Sequence, residues 1–350
     1  MIDSGHDVRI IGPFIDEPYL IERAIRGFYR KQKYYKYIKY NWTNTIRSSN
    51  ALNKVEIDWK PDIIFSMTPS PFFFYSGSTP CVFRTDTTFL GMNDQGANYL
   101  RHGTFMLSMM AWQEKIAFSK CEKIITHSGW SEEIINKKYN IPKKRISVFP
   151  NPTAISLEDT KKITNNYKKK EFNPLRLLLV GRDCDRKGVD IAIDIVRIIN
   201  KNGIKAILDI VGINGDNKRY YKFHGHFQKD DKNQLNKYFN FFHKAHLLIH
   251  PARFDASPIV TSEAAAFSTP TITNNSGGIA TSVKDGVSGI VLARGSKPTS
   301  YAESITSLIK NSKKYKKLCE STLNRYKKEL NWNIADKSLN NILNDVMNGK

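Results

Sequence analysis

Short apolar runs alternate with longer amphipathic stretches along most of the chain. In the first half, Asp7–Gly12, Pro61–Met67, Pro80–Arg84, Lys123–His127 and Arg145–Phe149 read as strands, and Ile21–Asn50, Thr104–Phe118 and Trp130–Tyr139 as helices. Apolar strands alternating with helices predict a parallel sheet covered on both faces. The periodicity stops between Leu157 and Asn173, a polar stretch containing Lys168, Lys169 and Lys170. It restarts at Leu175–Val180. Val189, Ala192, Ile193, Val196 and Ile199 then recur at helical spacing. Ala206–Val211, Leu247–His250, Pro270–Thr273 and Gly289–Leu292 follow as further strands.

The pattern predicts an α/β protein of two doubly wound, Rossmann-like domains facing a cleft. The first spans 1–155 and the second 175–330, with a linker at 156–174 and a C-terminal helix in 331–350 that packs back on the first domain. Ligands of such sheets lie outside the carboxyl ends of the strands. The opening MIDSGHDVRII reads as the end of a first helix followed by a second strand. The first domain is therefore expected to lack its first strand, which would expose strand edges.

Composition narrows the class. With 350 residues, 40% hydrophobic and 25% charged, the chain fits a globular protein of two domains and excludes collagen-like, coiled-coil and disordered types. Lys and Arg number 54 against 33 Asp and Glu, a net charge of +21 that favours anionic partners. Binding to nucleic acid is one reading of that charge, but the lysines are scattered and no nucleic-acid motif is present, so no nucleic acid is expected. Cys81, Cys121, Cys184 and Cys319 lie far apart without a C-x-x-C spacing, as in reduced cytosolic proteins. No apolar stretch reaches the roughly 18 residues of a membrane span. Asp3, His6 and Asp7 interrupt any signal peptide, so a cytoplasmic location is expected.

Two segments carry chemistry. In Arg253–Pro270, Ser257 reads as an N-cap and Pro258 as the first helical residue. The free N–H groups of Ile259 and Val260 would then form a phosphate-binding helix start. Asp255 precedes the cap, and Glu263 lies five residues beyond Pro258, roughly 7–8 Å along the helix axis. Carboxylate, phosphate cradle and carboxylate in that order suit a sugar, a diphosphate and a ribose. A capped surface helix with one exposed glutamate fits the same residues equally well. The second segment, Val180–Gly188, places Arg182, Arg186 and Lys187 in a loop after a buried strand, between Gly181 and Gly188. It is a natural second diphosphate clamp, or a solvated basic loop.

VGRDCDRKG, Asp255 through Glu263, SEAAAFSTPTI and NNSGGIATSVKDGVSGIVL together resemble a GT-B fold glycosyltransferase of glycosyltransferase family 4, the retaining, nucleotide-sugar-dependent group. The resemblance covers most of the chain. It implies that Asp255, where the family usually has Glu, approaches the donor sugar hydroxyls. Ile259 and Val260 would meet the diphosphate, Glu263 would hold the ribose, and Arg182 and Lys187 would neutralise the leaving group without a metal. Asp86 in FRTDTTF follows a strand, near the donor sugar in relatives; a turn residue is the alternative. Ser128 and Asn151 fall at matching positions of the closing helix and hinge approach. His226, in FHGHF, is a base-contact candidate, and no cofactor beyond the donor substrate is implied. His246 and His250 read as satisfied strand-end histidines rather than metal ligands.

The basic, aromatic-rich stretch Arg23–Trp42 reads first as a helix packing aromatics on the sheet. The functional alternative is docking on an anionic membrane at the inner face of the cell membrane, which would suit a lipid-linked acceptor. The expected activity is therefore transfer of a sugar from a nucleotide-diphosphate sugar to a glycan or lipid-linked acceptor. A non-catalytic GT-B relative and a nucleic-acid-binding protein stand as rivals, with nucleotide-sugar epimerases behind them.

Overall fold

The structure is a computed structural model that describes residues 5–12, 42–94, 104–153, 155 and 172–349. The basic aromatic stretch before Trp42 and nearly all of the expected linker lie outside the described residues. The chain divides into two compact units, Met1–Phe149 with Asp336–Lys350, and Pro150–Ala335.

The first unit holds a four-stranded parallel sheet in the order β1-β2-β3-β4: Ile64–Ser66, Cys81–Thr85, Cys121–Thr126 and Ile146–Val148. Helices α1 (Trp42–Trp59), α2 (Ser70–Phe73), α3 (Phe89–Asp94), α4 (Thr104–Lys120) and α5 (Gly129–Tyr139) connect and cover it. Phe72, Phe83, Phe118 and Ile124 fill one face. Val82 and Ile125, pointing the other way along the strands, pack with Leu343 and Val346 of the C-terminal helix Trp332–Met347. The strand expected at Asp7–Gly12 does not form. Those residues are irregular, and Ile10 is 82% exposed, so the apolar run has no sheet partner to bury it.

The second unit has a six-stranded parallel sheet in the order β10-β9-β8-β5-β6-β7. Its strands are β5 Leu175–Val180, β6 Ala206–Val211, β7 Tyr221–Phe223, β8 Leu247–His250, β9 Thr271–Asn274 and β10 Gly289–Leu292. The LRLLLV run shows why it is a central strand. Leu175, Leu177 and Leu179 enter one core, with Val189, Ala192, Val196 and Ile199 of helix α6 (Val189–Lys201). Leu178 enters the other, with Phe242 of α7 (Lys232–Lys244) and Ala264–Ala266 of α8 (Ile259–Ala266). With both faces covered, a continuous apolar run satisfies both sides. Each such residue contributes roughly 1.5–3 kcal/mol by leaving water.

Candidate functional site

The site of the second unit is built at the carboxyl ends of β5, β6 and β8, by three loops. After β5, the chain turns through Gly181–Gly188 into α6. Gly188 has φ +66, and a Cβ there would lie 2.2 Å from the Pro251 carbonyl oxygen, so only glycine fits. A Cβ at Gly181 would lie 2.5 Å from Lys187 Cγ. The lysine stem thus lies across a glycine, and its ammonium reaches into the loop that follows β8.

There it meets Asp255. Lys187 Nζ donates to Asp255 Oδ2 at 2.5 Å; the same oxygen lies 3.3 Å from His250 Nε2 and 3.6 Å from an Arg186 guanidinium nitrogen. Asp255, Lys187 and His250 are all buried. Burial works to raise the Asp255 pKa, but hydrogen bonding from His250 and the Lys187 charge outweigh it and hold the carboxyl well below the usual carboxylate range. His250 moves down as well, first through burial and then through the charge of Lys187, and is neutral.

Helix α8 begins next, with a correction to the expected start. Pro258, not Ser257, is the N-cap, and it supplies no side-chain acceptor. Ser257 turns away, its Oγ accepting from Asn151 Nδ2 at 2.8 Å, while Ser262 Oγ donates to the Asn151 carbonyl at 2.8 Å. One asparagine so pins both the approach to the helix and its second turn. Thr261 N–H bonds to the Pro258 carbonyl at 3.3 Å, leaving Ile259 and Val260 as the open first-turn donors. Ile259 is 48% exposed and Val260 is buried.

Glu263 sits one turn deeper. Its Oε1 accepts from Lys229 Nζ at 2.6 Å and its Oε2 from the Tyr238 hydroxyl at 2.5 Å. The Lys229 ammonium also lies 4.4 Å from the centre of the Tyr238 ring. Burial, then the Glu263 charge, push the Tyr238 hydroxyl far up its scale, so it stays a donor. Arg182 and His226, both exposed, approach each other at 3.3 Å. Together with Lys229 and Tyr238 they line a small pocket of about 140 Å3 at the ends of β5 and β6. His224 is tied to Asp209 at 2.7 Å, and His246 Nδ1 accepts from the Arg176 N–H at 2.8 Å. Among the described residues no group of three or more His, Cys, Asp or Glu is placed to hold a metal ion.

Asp255 and Lys187 thus meet between two neighbouring loops, the second of which leads into the helix start at Ile259 and Val260, while Arg182 and His226 border one pocket whose lining residues Lys229 and Tyr238 hold Glu263. Lys229 and Tyr238 escaped the sequence reading, because nothing in the loop after FHGHF marks which of its lysines turns inward. His250 carried a signal, five positions before Asp255 on a strand end, but its direction toward the carboxylate was not legible.

In the first unit, Asp86 follows β2 and is exposed, with Oδ1 3.6 Å from His127 Nε2. That nitrogen accepts from Arg84 Nε at 2.7 Å, and Nδ1 faces the Phe149 carbonyl at 2.9 Å. Donation from Arg84 requires Nε2 to be the unprotonated nitrogen. Burial, and then the Arg84 charge, accordingly lower the His127 pKa. Ser128 caps α5, accepting from the Ser131 N–H at 3.2 Å.

Two family models cover the chain in succession. The model of Glycosyltransferase Family 4 matches residues 1–156, and that of Glycosyl transferases group 1 matches residues 159–325. The chain belongs to the GT-B glycosyltransferases. It is 31% identical over 163 residues to an uncharacterized glycosyltransferase of Methanocaldococcus jannaschii, an alignment covering 44% of each protein. The chain spans about half the length of the curated relatives it matches. Among solved structures, it resembles a sucrose-phosphate synthase from Thermosynechococcus elongatus, with TM-score 0.67, 13% identity, and coverage of 90% of this chain and 82% of that one. It also resembles Anabaena HepE in complex with UDP and glucose, with TM-score 0.61, 14% identity, and coverage of 86% and 80%. At these identities the likeness is one of fold.

Proposed function

We propose that this protein moves a sugar from a nucleotide-diphosphate sugar to a glycan or lipid-linked acceptor, with retention and without a metal. The observation that carries the reading is a pair of buried carboxylates, Asp255 and Glu263, on either side of an open helix start, each already hydrogen-bonded to a lysine. The UDP held by HepE is the kind of ligand that such a frame suits.

In this reading the bond between the anomeric carbon and the diphosphate oxygen breaks. The electron pair stays on the leaving diphosphate, while the acceptor oxygen forms the new bond on the same face and passes its proton to the departing diphosphate oxygen. The Ile259 and Val260 N–H groups, Arg182 and Lys187 stabilise the charge that develops on the leaving group. Asp255 and Glu263 accept from sugar and ribose hydroxyls. His226 contacts the base.

Peripheral contact of the basic stretch with an anionic membrane at the inner face belongs to the same proposal. No helix among the described residues is long and apolar enough to cross a membrane. The deciding measurement is transfer or hydrolysis with UDP-, GDP- and ADP-sugars, with and without EDTA. Turnover insensitive to EDTA is expected, reduced on the order of 10²-fold or more by Lys187→Ala and by Glu263→Ala. Turnover that neither substitution changes removes the site assignment.

A further inference from the structure

A cavity of about 900 Å3 lies in the first unit, at the end of the sheet opposite to Asp86 and His127. Its walls come from the segments that enter β2, β3 and β4: Ser78 before Cys81, Lys120, Glu122 and Lys123 around Cys121, and Lys144 and Arg145 before Ile146. Four cations and one carboxylate therefore face one space. The volume is in the range of small-molecule sites.

Backbone oxygens hold two of the cations in place. Lys120 Nζ donates to the Phe73 and Tyr75 carbonyls at 2.8 and 2.6 Å. Arg145 donates to the Phe118 and Ser119 carbonyls at 2.8 and 3.1 Å, and also to that of Cys121. These bonds fix position but cancel no charge, because carbonyls are neutral. Lys123 bonds only to the Lys144 carbonyl, at 3.1 Å, and Lys144 is exposed. Among the described residues none of the four pairs with a carboxylate, Glu122 included. The Arg145 Nε is buried without an acceptor, and burial lowers the Lys120 pKa, the mark of a cation that lacks a counterion. Fixed, uncompensated cations around a roomy cavity suit an anion with several charged oxygens.

We infer that this cavity binds a ligand bearing more than one phosphate-type oxyanion, at a place separate from the carboxyl ends of the strands. Lys123 and Lys144 would close on the ligand while Lys120 and Arg145 form a preset floor. The inference does not depend on the proposed transferase reaction, since every residue it uses lies outside the site described above.

The test is calorimetric titration of the full chain with tripolyphosphate. Saturable binding is expected in the wild type. In Lys123→Gln/Lys144→Gln it should weaken by about tenfold for each lysine removed, with the circular-dichroism spectrum and thermal midpoint unchanged. Flotation with vesicles containing cardiolipin, a lipid with two phosphates, separates the sources. Vesicle binding lost in the double variant and displaced by tripolyphosphate identifies a lipid phosphate, and tripolyphosphate binding without flotation identifies a soluble ligand. Equal affinity in wild type and double variant, or no binding at all, overturns the inference.

Discussion

At the scale of single residues, Asp255 sets the character of the site. Oδ2 alone serves Lys187, His250 and Arg186, so the carboxylate is drawn back onto the basic loop. Where the family's usual Glu would reach one methylene further, Asp keeps the pair tight and buried. Asp255→Asn leaves the Lys187 ammonium without its counterion, and stability should fall by about 3–5 kcal/mol, read as a lower urea midpoint at pH 7. The sign of the pH effect follows from the depressed pKa. The stabilisation is present above the unfolded value of 3.8 and is lost as pH falls below it, so the variant should also lose most of that acid-limb dependence. An unchanged midpoint would mean that the Lys187–Asp255 contact contributes nothing. The two acids were visible in sequence because spacing and a neighbouring Pro-led helix start are local features. Their partners were not, because Lys229 and Tyr238 reach Glu263 across 34 and 25 positions of chain.

At the scale of elements, most strands were legible because each is an apolar run with a core on both sides. Asp7–Gly12 has the same look and forms none, since an apolar run specifies burial only where a partner exists. The Tyr221–Phe223 edge strand escaped the reading for the opposite reason: it is short and only half-buried. Ser257 misled because a Ser-Pro start signals a cap, whereas here Asn151, more than a hundred positions away, takes the hydroxyl. Helix α4 carries another element-level device. Glu114 is buried against the Phe89 N–H, at 3.0 Å, and the Tyr139 hydroxyl, so it joins α3, α4 and α5. Burial, only partly opposed by Tyr139 and Phe89, pushes its pKa up to about 8 from 4.5. A raised carboxyl pKa means that the folded state holds a proton the unfolded chain has released. Stability from this group is therefore full below about 4.5 and declines as pH rises toward 8, by at most about 1.4 kcal/mol per unit. Glu114→Gln should flatten that slope in melts taken from pH 5 to 8; an identical slope in the variant would assign it elsewhere.

At the scale of the whole molecule, two α/β units were readable from the restart of the pattern at Leu175. The charge of +21 was readable too, but its meaning was not, because composition does not say which lysines lack counterions. The arrangement around Lys120, Lys123, Lys144 and Arg145 does. The chain also leaves its first unit at Phe149 and returns to it at Asp336. Leu343 and Val346 supply part of the covering for Val82 and Ile125. Anyone dissecting the protein must treat its tail as a missing shingle of the first unit. A fragment ending at Phe149 should be sticky, binding a fluorescent apolar dye and precipitating on concentration, and splicing residues 332–349 to it should restore solubility. Clean behaviour of the bare fragment would show that the tail is dispensable there.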